Sequence, residues 1–206
     1  MRTRSTLPFV DLVLIGLRGS GKTSIARLLA TRRRAPWIDL DDRTPSFLDL
    51  DPPATSVRDA WERAGEPAFR DAEVRALAQV LDAPTPTRGF STAPSHPSPP
   101  QIIALGGGTP TAMPLTPGPS AESLLRDARA SGTIRIIYLR ASPRVLRERL
   151  EPTDHATRPS LTGTNFLDEI PRVFARRDPL YATFADQTID VDTLSPEEVC
   201  DTIERK

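Results

Sequence analysis

A chain of 206 residues, 38% hydrophobic and 26% charged, has the size and balance of an ordinary globular protein with a sizeable core. Its 27 basic and 27 acidic residues cancel and aromatics make up only 5%, which removes the electrostatic footprint expected of a nucleic-acid or anionic-membrane binder. Cys200 is the single cysteine, so no intrachain disulfide can form and a cytoplasmic location is expected. The apolar run from Phe9 to Leu17 contains Asp11 and is too short to span a bilayer. A glycine-rich loop follows it instead of a small-residue cleavage site, so the run reads as a buried strand and not as a signal peptide.

In chain order, Val10–Ile15 has the continuous apolar character of a buried parallel strand. Thr23–Arg33 follows as a helix, with Ile25, Leu28 and Leu29 at helical spacing and basic residues in its last turn. Trp37–Leu40 reads as a short strand, and Ser56–Ala64 and Pro67–Leu81 as two helices. Ile102–Leu105 and Ile134–Leu139 are further strands, and Ser142-Pro143 opens a helix with an N-cap and an N1 proline. Asn165–Arg177 is expected to be helical, Thr188–Val191 a strand, and Ser195-Pro196-Glu197-Glu198 a capping box that starts the last helix. Strands alternate with helices throughout, which predicts a parallel α/β sheet covered on both faces. Residues 83–100 carry six prolines and residues 109–120 carry four. Because chemical motifs flank both stretches, they are expected to be long surface loops of one domain spanning 1–206.

Gly16-Leu17-Arg18-Gly19-Ser20-Gly21-Lys22-Thr23 matches the phosphate-loop pattern G-x-x-x-x-G-K-[ST]. Glycines let successive backbone N–H groups converge on phosphates, the lysine reaches the outer phosphates, and the threonine hydroxyl suits Mg²⁺. The helix that follows adds its N-terminal dipole to the same anion. Lys22 and Lys206 are the only lysines, so a chain that otherwise takes its positive charge from arginine keeps a lysine here. Nucleotide binding follows, but the loop alone does not separate a kinase from a GTPase or a motor.

Other motifs narrow the choice. Asp39-Leu40-Asp41 closes the second strand, where a period of two would turn both aspartates to one side at the ligand-binding edge. Asp42 and Arg43 follow directly, so a solvated turn is also open. Gly65-Glu66-Pro67-Ala68-Phe69-Arg70-Asp71-Ala72-Glu73 ends in an arginine and an acid at i, i+3, a spacing that otherwise reads as an exposed ion pair. Gly106-Gly107-Gly108 directly follows a strand, as close backbone approach to a ligand requires, although a plain flexible loop would look the same. Arg158-Pro159-Ser160-Leu161 lies in a polar stretch between helices, as a mobile lid would, and Arg177-Asp178-Pro179-Leu180-Tyr181 is expected to end the helix it sits on.

Taken in order, these motifs resemble the shikimate kinases, and the resemblance runs from about Leu12 to the last helix. It implies a five-stranded parallel sheet with helices on both faces and a mobile lid, in the style of the nucleoside-monophosphate kinases. It implies transfer of the γ-phosphate of ATP to the 3-hydroxyl of shikimate, on the route to chorismate and the aromatic amino acids. Carried to this chain, Gly19, Ser20, Gly21, Lys22, Thr23 and Ser24 would hold the ATP phosphates, with Thr23 and Asp39 on Mg²⁺. Asp41 would bind the shikimate hydroxyls, Arg70 and Arg177 would grip its carboxylate, and Gly107 would add a backbone contact. Arg158 would swing in with the lid, so that Lys22, Asp41 and Arg158 form the catalytic set. Arg149 would lie near the adenine.

The chain departs from the family pattern at Ser160, where a second leucine is usual, and in the proline- and aspartate-rich segment from Pro45 to Thr55. The segment Asp192-Thr193-Leu194-Ser195 lacks the basic residue that some members place beside the adenine. Trp61 and Phe69 could wall the substrate ring or simply belong to the core, and neither His96 nor His155 has partners that suggest a metal site or nucleophile. The partners implied are shikimate and ATP alone, with no nucleic acid and no membrane, bound to a monomer. A gluconate-type kinase would share the phosphate loop without needing Arg70, the triple glycine and Arg177 together. A non-catalytic shikimate or ATP sensor would be expected to lose Lys22, Asp41 or Arg158.

Overall fold

A computed structural model describes residues 10–82, 100–151 and 166–205. Five strands form one parallel sheet: β1 (Asp11–Ile15), β2 (Trp37–Asp39), β3 (Ile102–Ala104), β4 (Ile134–Arg140) and β5 (Gln187–Asp190), in the order β2-β3-β1-β4-β5. The register pairs Val13 with Ile103 on one side and with Ile136 on the other, so β1 is the central strand. All five of its residues are buried. Asp11 is tolerated there because its carboxylate accepts both the backbone N–H and the side-chain amide of Gln101, at 2.9 and 3.0 Å.

The helices between the strands are α1 (Lys22–Arg33), α2 (Leu40–Arg43), α3 (Val57–Asp82), α4 (Ala121–Ala130), α5 (Pro143–Leu150), α6 (Phe166–Phe184) and α7 (Pro196–Glu204). The crossover from β1 to β2 runs one way along the sheet, and those from β2 to β3 and from β3 to β4 run the other way. Right-handed connections therefore put α1 on one face and α3 and α4 on the other. The packing agrees, since α1 lies against α7 and α3 against α4. Between the layers lies one apolar cluster that includes Leu14, Ile15, Leu29, Leu77, Ile103 and Ile137. Fully burying side chains of this size contributes about 1.5–3 kcal/mol each.

Most sequence-based elements recur within a residue or two, including the Ser142 N-cap and the complete capping box at Ser195 and Glu198. The two helices expected around residue 65 are continuous in hydrogen bonding, but Gly65 breaks their path with φ 76° and ψ 162°, a backbone state that glycine adopts at little cost. Pro67 then falls in the first turn of the second half, where its missing N–H does no harm.

Three expectations are corrected. The second strand stops at Asp39, and Asp41 lies on the short helix α2, so the period-two placement of the two aspartates does not hold. Asp39 instead caps that helix, its carboxylate accepting the N–H of Asp41 at 3.1 Å. The helix expected to end at Arg177 continues through Pro179 to Phe184. Within the 109–120 stretch, Thr109–Thr111 forms a 3-10 turn, and Ser120 caps α4, a helix the sequence reading did not anticipate. The segment 44–56 holds a 3-10 turn at Thr44–Phe47 and no further helix until α3.

Candidate active site

In a parallel sheet every strand delivers its carboxyl end to the same edge, so the segments after β1, β2 and β3 must meet there. They line a cavity of about 660 Å³. Its walls include Gly19–Ser24, Asp39, Asp41, Arg70, Gly107 and Arg177, so all the described residues to which a role was carried share one space. Arg158, together with His96, His155 and Ser160, lies outside the described residues.

The phosphate loop leaves β1 and turns sharply into α1. Gly19 has φ 84°, and a Cβ there would press on the side chain of Leu150 at 3.0 Å. Gly21, at φ 94°, is the residue before the helix, whose first turn contains no acidic residue to compete with a bound anion. Lys22 is buried and donates to the carbonyls of Gly16 and Leu17, at 2.9 and 3.0 Å, so its ammonium lies over the loop it serves. Ser20 differs from its neighbours in that its hydroxyl is enclosed and has no hydrogen-bond partner among the described residues.

Thr23 donates its hydroxyl to Asp39 at 2.6 Å. This places a neutral and a charged oxygen side by side at the mouth of the loop, the hard donor set that Mg²⁺ prefers. Among the described residues no group of three His, Cys, Asp or Glu side chains could hold a metal alone. Mg²⁺ that is bound chiefly by nucleotide phosphates and water needs no such cage.

The second half of the cavity is cationic. Arg70, for which an exposed ion pair was the alternative to a substrate-binding role, is largely buried and donates to Glu73 at 2.6 Å, and Glu73 is itself only 1% exposed. Glu73 also accepts the Thr109 hydroxyl at 2.7 Å, which joins α3 to the turn after β3. Burial opposes the charge on Arg70, but Glu73 and Glu66 outweigh it and hold its pKa above the usual value. The Arg70 guanidinium also lies 4.8 Å from the centre of the Trp61 ring, and Trp61 meets Phe69 edge-on at 5.1 Å. Both rings line the cavity, so they serve as a wall as well as packing.

Arg177 is compensated differently. Its one hydrogen bond among the described residues goes to the neutral carbonyl of Gly107, at 3.1 Å. Burial is the main cause pulling its pKa down, helped by the nearby charges of Arg70 and Arg176 and partly opposed by Tyr181 and Glu73. The triple glycine lets these groups come together. A Cβ on Gly108 would strike the Arg70 guanidinium, one on Gly107 the backbone of Arg18, and one on Gly106 the carboxylates of Asp41 and Glu73.

Sequence reasoning assigned no role to Tyr181, whose hydroxyl donates to the Gly107 carbonyl at 2.7 Å beside Arg177. The signal was present, because residues 177 and 181 are i, i+4 and share a helix face. Arg149 lines the same cavity with Val191, Leu194, Pro196 and Val199, and donates to the Val191 carbonyl at 2.8 Å. These groups form an apolar wall with one cationic side chain.

The family model described as shikimate kinase matches residues 18–206 of the chain. A shikimate kinase of Rhodopirellula baltica is 33% identical over 193 residues, covering 91% of this chain and 85% of that protein. One of Enterococcus faecalis is 31% identical over 193 residues, covering 94% and 95%. The solved structure of a shikimate kinase from Acinetobacter baumannii in complex with shikimate superposes with a TM-score of 0.71 over 96% of this chain and 91% of that one. At 22% identity, that likeness speaks to the fold.

Proposed function

The chain belongs to the shikimate kinase family, and from that premise we propose how its cavity divides the work of phosphorylating shikimate with ATP. The protein is an ATP-dependent phosphotransferase acting on an alcohol group. The observation that carries the assignment of the acceptor site is Arg177. It is a half-buried cation whose described hydrogen bond goes to a neutral carbonyl, it stands beside Arg70, and it shares a cavity with the phosphate loop. A planar carboxylate between two guanidinium groups gives Arg177 a directly hydrogen-bonded counter-charge and is oriented by paired hydrogen bonds.

In this arrangement the backbone of Gly19–Ser24 and the N-terminus of α1 receive the ATP phosphates, and Lys22 moves from its loop carbonyls towards the outer phosphates. Thr23 and Asp39 hold Mg²⁺, which when bound neutralises charge on the transferred group. The apolar surface of Val191, Leu194 and Pro196, with Arg149, takes the adenine. Shikimate lies with its carboxylate on Arg70 and Arg177, its ring against Trp61 and Phe69, and its hydroxyls on Asp41. Gly107, whose N–H has no partner among the described residues, donates to it. The 3-hydroxyl oxygen attacks the γ-phosphorus as the bond to the β-phosphate oxygen breaks, and the hydroxyl proton leaves towards Asp41 or solvent. Orientation carries most of the catalysis, because phosphoryl transfer asks little covalent chemistry of the protein.

The same reading makes 1–206 one domain that acts as a cytoplasmic monomer without nucleic-acid partners. No helix among the described residues is long and apolar enough to cross a membrane. The test is ADP release from MgATP with shikimate, with gluconate, and with neither. Shikimate-dependent release that disappears in Asp41→Asn supports both the reaction and its acceptor site. Release stimulated equally by gluconate, or retained in Asp41→Asn, would overturn the site.

A further inference from the structure

Arg177 and Tyr181, which meet at the Gly107 carbonyl, belong to the part of α6 that the chain has least intrinsic reason to keep helical. Pro179 lies between them. It has no N–H for the carbonyl of Ala175, its ring crowds that carbonyl, and it biases the preceding residue, Asp178, away from the helical region. The helix nevertheless runs unbroken to Phe184. Something outside it must favour that path.

The outside contact comes from β4. Arg140, its last residue, donates to both carboxylate oxygens of Asp178, at 2.7 and 3.0 Å. Tyr138, two residues earlier on the same strand, donates its hydroxyl to Asp178 at 2.8 Å. The Arg140 guanidinium also lies 5.5 Å from the ring of Phe174, one turn before Asp178. The buried Tyr138 ring meets the Tyr181 ring edge-on at 5.6 Å, so the strand grips α6 on both sides of the proline. Successive helical residues project about 100° apart, which lets Asp178 face the sheet while Arg177 faces the cavity.

We infer that Asp178, tied to Arg140 and Tyr138 of β4, is a positioning residue for shikimate: it holds α6 in register across Pro179 so that Arg177 and Tyr181 reach Gly107. This rests on the assignment of Arg177 to the acceptor carboxylate. Asp178 is not among the described residues that line the cavity. It acts through the residue beside it, and its loss would move the carboxylate clamp while leaving the phosphate loop where it is.

The experiment measures kcat and both Michaelis constants, with melting temperatures, for the full chain and for Asp178→Ala, Asp178→Asn and Arg177→Ala. In Asp178→Ala the KM for shikimate rises about tenfold, while kcat and the KM for ATP stay within about twofold. Asp178→Asn falls between, because its amide oxygen still accepts from Tyr138. An unchanged KM for shikimate in folded Asp178→Ala, or a rise matched by the KM for ATP, overturns the inference. Arg177→Ala separates the two levels. If it leaves the shikimate KM unmoved, the clamp assignment itself fails. If it raises that KM and Asp178→Ala does not, only the positioning role fails. Should Asp178→Ala not fold, Tyr138→Phe keeps the ring and removes one hydrogen bond, and it must give a smaller rise confined to shikimate for the inference to stand.

Discussion

Thr23 and Asp39 are joined by a 2.6 Å hydrogen bond that ties the start of the first helix to the end of the second strand. The two lie 16 residues apart, yet their oxygens meet where the phosphate loop opens. If the pair holds Mg²⁺, removing the charge at Asp39 should weaken the ion's retention without displacing the threonine. Asp39→Asn is expected to raise the Mg²⁺ concentration for half-maximal turnover by about ten- to a hundredfold. A Mg²⁺ titration at saturating ATP and shikimate checks this. An unchanged requirement would remove Asp39 from the metal site.

Lys22 has two tasks in this geometry. Its ammonium holds the Gly16 and Leu17 carbonyls, and among the described residues it is the one lysine in the cavity. Lys22→Ala should lower kcat by at least about a hundredfold, as expected when a donor to developing charge is lost. It should also cost about 1–3 kcal/mol of stability, because two loop carbonyls lose a charged partner. Turnover assays and thermal unfolding read the two effects separately. Full activity in this variant would refute the phosphate-loop assignment.

How much of this was legible before the structure depended on how local each feature is. The phosphate loop was readable because strand, loop and helix are contiguous from Asp11 to Arg33. The aspartate pair was found, but for the wrong geometric reason. The capping hydrogen bond from Asp41 to Asp39 ends the strand, and a period-two count does not contain it. Local spacing left Arg70 and Glu73 open to being a surface pair, and only the family resemblance gave Arg70 a site role, because burial there is imposed by Thr109 and the triple glycine, more than thirty residues away.

Helix α4 was missed although its signal was present: after the Ser120 N-cap, Ala121, Leu124, Leu125 and Ala128 fall at i, i+3, i+4 and i+7 and pack on the core. The end of α6 was misplaced because Pro179 is a strong local stop signal. The ties from Arg140 and Tyr138 that override it come from a strand some forty residues earlier.

The glycines after β3 can be told apart by what each would strike. A Cβ on Gly108 would lie 2.5–2.8 Å from the Arg70 guanidinium, the far end of a flexible side chain. Gly108→Ala should therefore fold, displace Arg70 and raise the KM for shikimate about tenfold. A Cβ on Gly106 would meet Asp41, Thr109 and Glu73 together and break into the buried Glu73–Thr109 hydrogen bond. Gly106→Ala should cost about 1–3 kcal/mol in stability as well as activity. Michaelis constants and melting temperatures for both variants distinguish them, and identical behaviour would mean the turn is merely flexible.

The pH dependence of stability offers a check on the Asp178 tie that needs no substrate. Hydrogen bonding from Arg140 is the main cause holding the Asp178 carboxyl below its ordinary 3.8. Tyr138 adds to it, against a partial burial that acts the other way. A carboxyl whose folded-state pKa is depressed contributes stability that is fully present above its unfolded value and is lost as pH falls through the folded one. Asp178→Asn keeps an acceptor for Tyr138 but has no charge to lose. The wild-type protein should therefore melt above the variant at neutral pH, and the gap should close as pH drops below the unfolded value of 3.8. Thermal unfolding of both proteins across that range decides the matter. A gap that stays constant into acid would mean that the charge on Asp178 is not what holds α6 to β4.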